Sequence, residues 1–175
     1  MTDGAEANWR RIIEAFDRHG VEYLIVGGVG ARLHGAQRLT TDFDSLPNSD
    51  RSNLERLASA MRELGAFLRV DGLTDDESKA LPTPLDGLLL ANMDISTWRT
   101  DAGDLDVLTA IPTRSGGRAT YTDIVDRAAS VDFAGVRVLV AALADIIASK
   151  EWADRPKDRE ALIELRALRD DEPQP

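Results

Sequence analysis

The chain has no cysteine, which rules out disulfides and thiolate metal sites. Its only histidines are His19 and His34, so a zinc centre or a Ser-His-Asp machine has little to draw on. No apolar run approaches the roughly 20 residues that cross a bilayer, and no signal-like N-terminus is present. Secretion and membrane insertion are therefore disfavoured, and the cytoplasm is the expected location. Basic residues are also scarce: 21 Lys and Arg face 31 Asp and Glu, a net charge of −10. No global field attracts nucleic acid or anionic lipid, and a polynucleotide substrate would need a local basic patch. The 175 residues, 43% of them hydrophobic, suit one domain and are few for two.

Helix and strand signals alternate as an α/β domain requires. Trp9, Ile12, Ile13 and Phe16 fall on one face of a helix over 7–19, with Gly20 as its stop. The apolar run Tyr23 to Val26 reads as a buried strand ending at Gly27-Gly28, where the backbone turns and can approach a ligand closely. A short helix fits 29–34 and an acidic strand 40–44. Leu54, Leu57, Ala58, Met61 and Leu64 mark a second amphipathic helix closing at Gly65, and 71–86 reads as an exposed loop with a short helix. Strands at 95–100 and 105–111 are joined by a turn at 101–103. A last strand at 136–140 precedes a helix over 141–152 and a final helix opened by Arg155-Pro156. The expected fold is α/β: a small mixed sheet with flanking helices and a helical C-terminal part, a single domain with its core near 20–112 and C-terminal elements near 130–169.

On a period-two strand, Thr40, Asp42 and Asp44 share one face while Phe43 turns to the core. Two carboxylates beside a glycine turn that opens a helix suit a divalent metal and a triphosphate. Asp-x-Asp alone is weak evidence, because 21 aspartates in 175 residues give about 2.5 such matches by chance. The chain has two, Asp42/Asp44 and Asp104/Asp106, and the context of strand, glycine pair and short helix singles out the first. If the second strand of the later hairpin lies beside the acidic strand, Asp106 completes a three-carboxylate cage, with Asp104 on the same face as an alternative. A plain acidic strand edge is the competing explanation.

The spacing of Gly27-Gly28 before Asp42-Phe43-Asp44 resembles the signature of the polymerase-beta-like nucleotidyltransferase superfamily. The run HGAQRLTTDFD at 34–44 is similar to the small bacterial branch related to the AbiEii abortive-infection toxins, and the likeness extends through GDLDVL at 103–108 and SKEWADRPKD at 149–158. One departure is Gly27-Gly28 where many members have Gly-Ser, which removes a hydroxyl contact to phosphate. The resemblance implies a nucleotidyltransferase fold and two Mg²⁺ ions, with Mn²⁺ as a substitute, held by Asp42, Asp44 and Asp106. It implies a nucleoside triphosphate bound by Gly27, Gly28, Arg38, Thr40 and Lys157. Lys150 joins the triphosphate contacts, and Asp158 holds a basic partner or assists catalysis. Its leading acceptor is the 3′ end of transfer RNA, modified by a toxin that a cognate antitoxin restrains. The alternatives are transfer to a hydroxyl of a small molecule such as an antibiotic, or of a protein, and a non-catalytic nucleotide-binding module.

Each candidate has a plainer explanation. A lysine near a helix C-terminus and an aspartate near an N-terminus satisfy the macrodipole without any ligand. Arg38 can hold a phosphate or orient a carboxylate. His34 is more often a packing or capping histidine than a ligand, and His19 reads as a C-cap residue. Arg114, Arg118, Arg137, Arg155 and Arg159 are the arginines available for an RNA track. A Rossmann fingerprint counted from Gly28 and Gly30 fails at Leu33, where a third glycine is required.

Overall fold

The computed structural model describes residues 2–171. In chain order the elements are α1 (Thr2–Arg18), β1 (Tyr23–Ile25), α2 (Gly27–Leu33), β2 (Phe43–Pro47), α3 (Arg51–Glu63), β3 (Phe67–Leu68), α4 (Asp75–Ala80), α5 (Gly87–Ala91), β4 (Ile95–Thr100), β5 (Gly103–Leu108), β6 (Ile111–Pro112), β7 (Arg118–Ala119), α6 (Tyr121–Ile124), β8 (Ala129–Phe133), β9 (Val136–Val140), α7 (Leu143–Ala153) and α8 (Pro156–Asp171). Among the described residues, seven strands form one mixed sheet in the order β3-β4-β5-β2-β1-β9-β8, and β6 pairs with β7 as a separate hairpin. This is the α/β architecture expected from the sequence, with helices flanking the sheet and closing the chain.

Alternation along the strands divides the sheet into two unlike faces. On β2 and β5, Phe43, Leu105 and Val107 are buried. Phe43 meets Phe16 of α1 edge to face at 6.3 Å, and Phe16 meets Tyr23 at 4.9 Å. The core on this side is built from the Trp9, Ile12, Ile13 and Phe16 stripe and from Leu54, Leu57 and Met61 of α3. On the opposite face, Asp44 and Asp106 occupy the alternate positions, and α2, α7 and α8 surround them. Among the described residues no helix is long and apolar enough to cross a membrane.

Several boundaries differ from the sequence expectation. The helix expected at 29–34 starts at Gly27, so the glycine pair forms its first turn. The acidic strand begins at Phe43, leaving Thr40 and Asp42 on the loop before it. β1 is only three residues long and pairs with Tyr23 against Pro47 and Ile25 against Ser45, so it offers no partner to residues before Phe43. The strand expected at 105–111 runs from Gly103 to Leu108, and Ile111 belongs to the small hairpin. The short pieces β3, β6, β7 and β8 carry too little periodicity to be read in isolation.

Candidate functional site

Asp44 and Asp106 are register partners on the parallel strands β2 and β5, at the 4.8 Å spacing typical of neighbouring strands. Thr97 of β4 lies directly across from Asp106 on the other side. Above this row is a cavity of about 340 Å³, within the range of small-ligand sites. Its wall includes Gly27, Gly28, Arg38, Thr40, Asp42, Asp44, Asp106, Lys150, Lys157 and Asp158. All ten residues singled out in the sequence thus border one space, drawn from α2, the loop before β2, two strands and the last two helices.

The glycine pair has a steric cause within the protein. Gly27 has a φ of +61°, in the left-handed region that favours glycine. A Cβ there would lie 2.0 Å from Asp44 Oδ2, and one on Gly28 would lie 2.5 Å from Thr40 Oγ1. The Gly28 amide donates to Asp44 Oδ2 at 3.4 Å. The absent side chains therefore let the carboxylate and the hydroxyl rest directly on the first turn of α2.

Electrostatically, the strand pair is under strain. Burial, the neighbouring Asp106 and then Asp42 push Asp44 up to about 7, against the Gly28 amide and Lys150. Burial also raises Asp106, aided by Asp42 and Asp104 and opposed by Thr97 and Lys157. Asp106 Oδ1 is buried without a hydrogen-bond partner. Paired anionic oxygens, one of them orphaned, fit a hard divalent cation, whose oxygen-ligand preference they meet. Among the described residues, however, no three acidic or histidine side chains converge closely enough to form a ready-made cage. The expected three-carboxylate arrangement is only partly assembled: Asp42 is exposed on its loop, where its carboxylate accepts from the Thr41 hydroxyl at 3.0 Å. Like charges at short range repel, and nothing in the strand pairing holds the third one in.

Positive charge lines the facing wall. The chain has three lysines, and two of them, Lys150 and Lys157, border the cavity. Asp158 is 1% exposed; its Oδ1 lies 3.4 Å from Lys150 Nζ and its Oδ2 accepts from Arg155 Nε at 2.6 Å. Burial works against its ionisation, but the bond from Arg155 and the charge of Lys150 win and hold it below the usual carboxylate range. Asp158 therefore acts on the cavity by placing two cations. Arg155, read from sequence as part of an RNA track, borders the cavity instead.

The remaining candidates separate clearly. Arg38 borders the cavity and pairs with Glu160 at 2.8 Å. Asp104 lies 3.0 Å from Arg99 and 3.6 Å from Arg69 and does not border the cavity. His34 Nε2 is 2.8 Å from the Ala141 carbonyl and ties α2 to the start of α7, a packing role. His19 pairs with Glu63 at 2.7 Å. Four of the five arginines available for an RNA track face carboxylates: Arg114, Arg118, Arg155 and Arg159 lie 3.9, 3.0, 2.6 and 2.6 Å from Glu151, Asp94, Asp158 and Asp154. Arg137 lies on β9, opposite Asp132 of β8 at the far edge of the sheet.

No family model and no curated protein matches the sequence. Solved structures do match. The lincosamide antibiotic adenylyltransferase LnuA with lincomycin bound aligns with a TM-score of 0.61 at 14% identity, over 93% of this chain and 96% of that one. The antibiotic-resistance factor ANT(2'')-Ia aligns in its solution structure with a TM-score of 0.57 at 16% identity, over 97% and 91%. Its crystal structure in complex with adenylyl-2''-tobramycin aligns at 0.56 and 16%, over 97% and 95%. The chain therefore has the nucleotidyltransferase fold along nearly its whole length.

Proposed function

We propose that the protein transfers a nucleoside monophosphate from a nucleoside triphosphate to a hydroxyl of a small molecule. The observation that carries this reading is the pairing of Asp44 with Asp106 across β2 and β5, with Lys150, Lys157 and Arg155 on the facing wall of the same cavity. Anionic oxygens on one side and cations on the other suit a substrate with three phosphates and a metal-bound reacting centre.

The residues that would hold Mg²⁺, or Mn²⁺ in its place, are Asp44 and Asp106, with Asp42 closing in from its loop. When bound, such ions offset the triphosphate charge and stabilise displacement at phosphorus. The acceptor oxygen bonds to the α-phosphorus as the bond from that phosphorus to the pyrophosphate oxygen breaks. Asp106 would accept the hydroxyl proton as the new bond forms. Lys150, Lys157 and Arg155 take up the charge of the departing pyrophosphate. Gly27 and Gly28 offer backbone amides, and Thr40 and Arg38 close the loop side.

Transfer to the 3′ end of transfer RNA, under control of an antitoxin, is the reading that the toxin-related resemblance implies. Pairing of four of the five candidate arginines with carboxylates weighs against it. Two structural neighbours, an antibiotic adenylyltransferase and an antibiotic-resistance factor, support a small acceptor.

The test incubates the protein with Mg²⁺, each α-labelled nucleoside triphosphate in turn, and either transfer RNA or a panel of hydroxylic small molecules that includes aminoglycosides and lincosamides. Label is expected in the small-molecule fraction, with a loss on the order of a thousandfold in Asp106→Asn. Label in transfer RNA would reverse the acceptor assignment, and label independent of Asp44 and Asp106 would remove the enzymatic reading altogether.

A further inference from the structure

The carboxylate face of the sheet carries a second group of cations, outside the cavity. Beyond β5, on the side away from β2, the sheet continues with β4 and β3. Asp104, two residues before Asp106 on β5, faces the same way, and Arg99 of β4 is its register partner. The amide of Arg69, just past β3, donates to the Thr97 carbonyl at 2.9 Å. Two carboxylates bridge the two guanidiniums: Asp75 lies 3.4 Å from Arg69 Nε and 3.3 Å from Arg99 Nε, and Asp104 lies 3.6 and 3.0 Å from their terminal nitrogens. Lys79 of α4 adds a third cation, 5.9 Å from the centre of the Phe67 ring, and Phe67 is the register partner of Arg99.

These contacts do not satisfy the groups that make them. Arg99 Nε and Asp104 Oδ1 are buried without a hydrogen-bond partner, and the Arg69 contacts at 3.4 and 3.6 Å are longer than a normal N–H···O bond. Elsewhere the same chain closes such pairs with two short bonds each, Arg127 on Asp145 at 2.8 and 2.9 Å and Arg159 on Asp154 at 2.6 and 2.9 Å. The side chains of Arg69 and Arg99 are 42% and 37% exposed and that of Asp75 48%, so solvent reaches the fork between the guanidiniums. Thr74 and Glu77 cap α4 reciprocally, and the helix start does not depend on the Asp75 carboxylate.

We propose that Arg69 and Arg99 form an acceptor subsite, and that the acceptor is a small hydroxylic molecule carrying one carboxylate or phosphate group. The inference rests on the nucleotidyl-transfer reading of the cavity and deepens it. Asp75 marks the place of the ligand's anion, with one oxygen toward each Nε. A ligand oxyanion that is not tethered to α4 can form the short paired bonds that guanidiniums favour and Asp75 does not supply. Asp104 and Asp106 are about 7 Å apart along β5, so an anion held between the two arginines leaves a hydroxyl of a sugar-sized body within reach of Asp106. The charges of Lys150 and Arg155 act on Asp44, on the β2 side of the carboxylate pair, and Arg69 and Arg99 lie on its β4 side. Acceptor and triphosphate therefore approach the carboxylates from opposite sides, as an in-line displacement requires. One fork between two guanidiniums seats a single anionic group and provides no track for a polynucleotide.

Matched acceptors test this, each with Mg²⁺ and every nucleoside triphosphate, read by pyrophosphate release: hydroxy acids and uronic acids beside their amides, sugar phosphates beside the free sugars, and aminoglycosides as cationic acceptors. An anionic acceptor should exceed its neutral counterpart by about tenfold or more in kcat/KM, and whether acids or phosphates do so identifies the group. Arg99→Gln should cancel that preference by raising KM for the anionic acceptor with kcat little changed. Asp75→Asn, which removes only the competing charge, should lower the same KM about threefold. Neutral or cationic acceptors turned over as well as anionic ones, a preference untouched by Arg99→Gln, an Asp75→Asn variant whose KM is unchanged or raised, or transfer to RNA in place of any small acceptor overturns the subsite and leaves nucleotidyl transfer standing. Absence of Asp106-dependent pyrophosphate release with every acceptor overturns both.

Discussion

Asp44 shows how a side chain can suit a ligand at the expense of the fold. Its carboxyl ordinarily titrates near 3.8, and burial beside Asp106 brings it to about 7. Between those values the native protein keeps a proton that the unfolded chain has released, so stability falls as pH rises through the window and levels off above it. In thermal denaturation without divalent cation, Asp44→Asn should remove part of this slope and raise stability at pH 8 by on the order of 2 kcal/mol, or about 5 °C. Mg²⁺ should flatten the wild-type slope and leave the variant unmoved. The two aspartates of the second Asp-x-Asp should also part company. Asp104 lies against Arg99 and Arg69, so Asp104→Asn should keep pyrophosphate release within about threefold, whereas Asp106→Asn should lower it on the order of a thousandfold. The sequence alone could not separate the two, because they share a face of one strand. The ion pairs that do so come from β4 and from the chain just after β3.

Elements position the site more than local propensity does. The loop that carries Arg38, Thr40 and Asp42 is tied at two points to α8: Glu164 accepts from the Gln37 amide at 2.5 Å and Glu160 from Arg38 at 2.8 Å. The residues of α8 that border the cavity, Lys157, Asp158, Ala161, Glu164 and Leu165, recur at helical spacing and span about 12 Å of its axis. Asp158 joins α7 to α8 through Lys150 and Arg155. Replacing it by Ala should leave two cations facing each other and cost about 2 kcal/mol. It should also raise KM for the triphosphate more than it lowers kcat, and Asp158→Asn, which keeps the acceptor oxygen, should recover part of both. The start of β2 was misjudged from sequence because a period-two pattern over residues 40–44 cannot reveal where the neighbouring strand stops. β1 is short, and pairing fails before Phe43.

At the scale of the whole molecule, charge sets the partners. The net charge is −10, and four of the five arginines available to follow a nucleic-acid backbone lie against carboxylates. Transfer RNA should bind more weakly than about 100 µM at physiological salt, as a filter-binding titration would show. Tighter binding with a steep salt dependence would mean that these ion pairs open in favour of phosphate. The two-faced sheet explains how such an acidic chain concentrates cations where they matter. α7 and α8 bring Lys150, Arg155 and Lys157 over the carboxylate face, while the aromatic core lies on the other.

Periodicity and composition were enough to foretell the alternating helices and strands and the bend of the chain at Gly27-Gly28, since each depends on neighbours within a few positions. That Asp44 and Asp106 stand side by side, that Asp104 lies against two arginines, that Asp42 sits on a loop and that Arg155 borders the cavity depend on contacts between segments far apart in the chain. Strand order and helix docking are chosen by burial of the core as a whole, and no local pattern encodes which carboxylate will meet which cation once that core has closed.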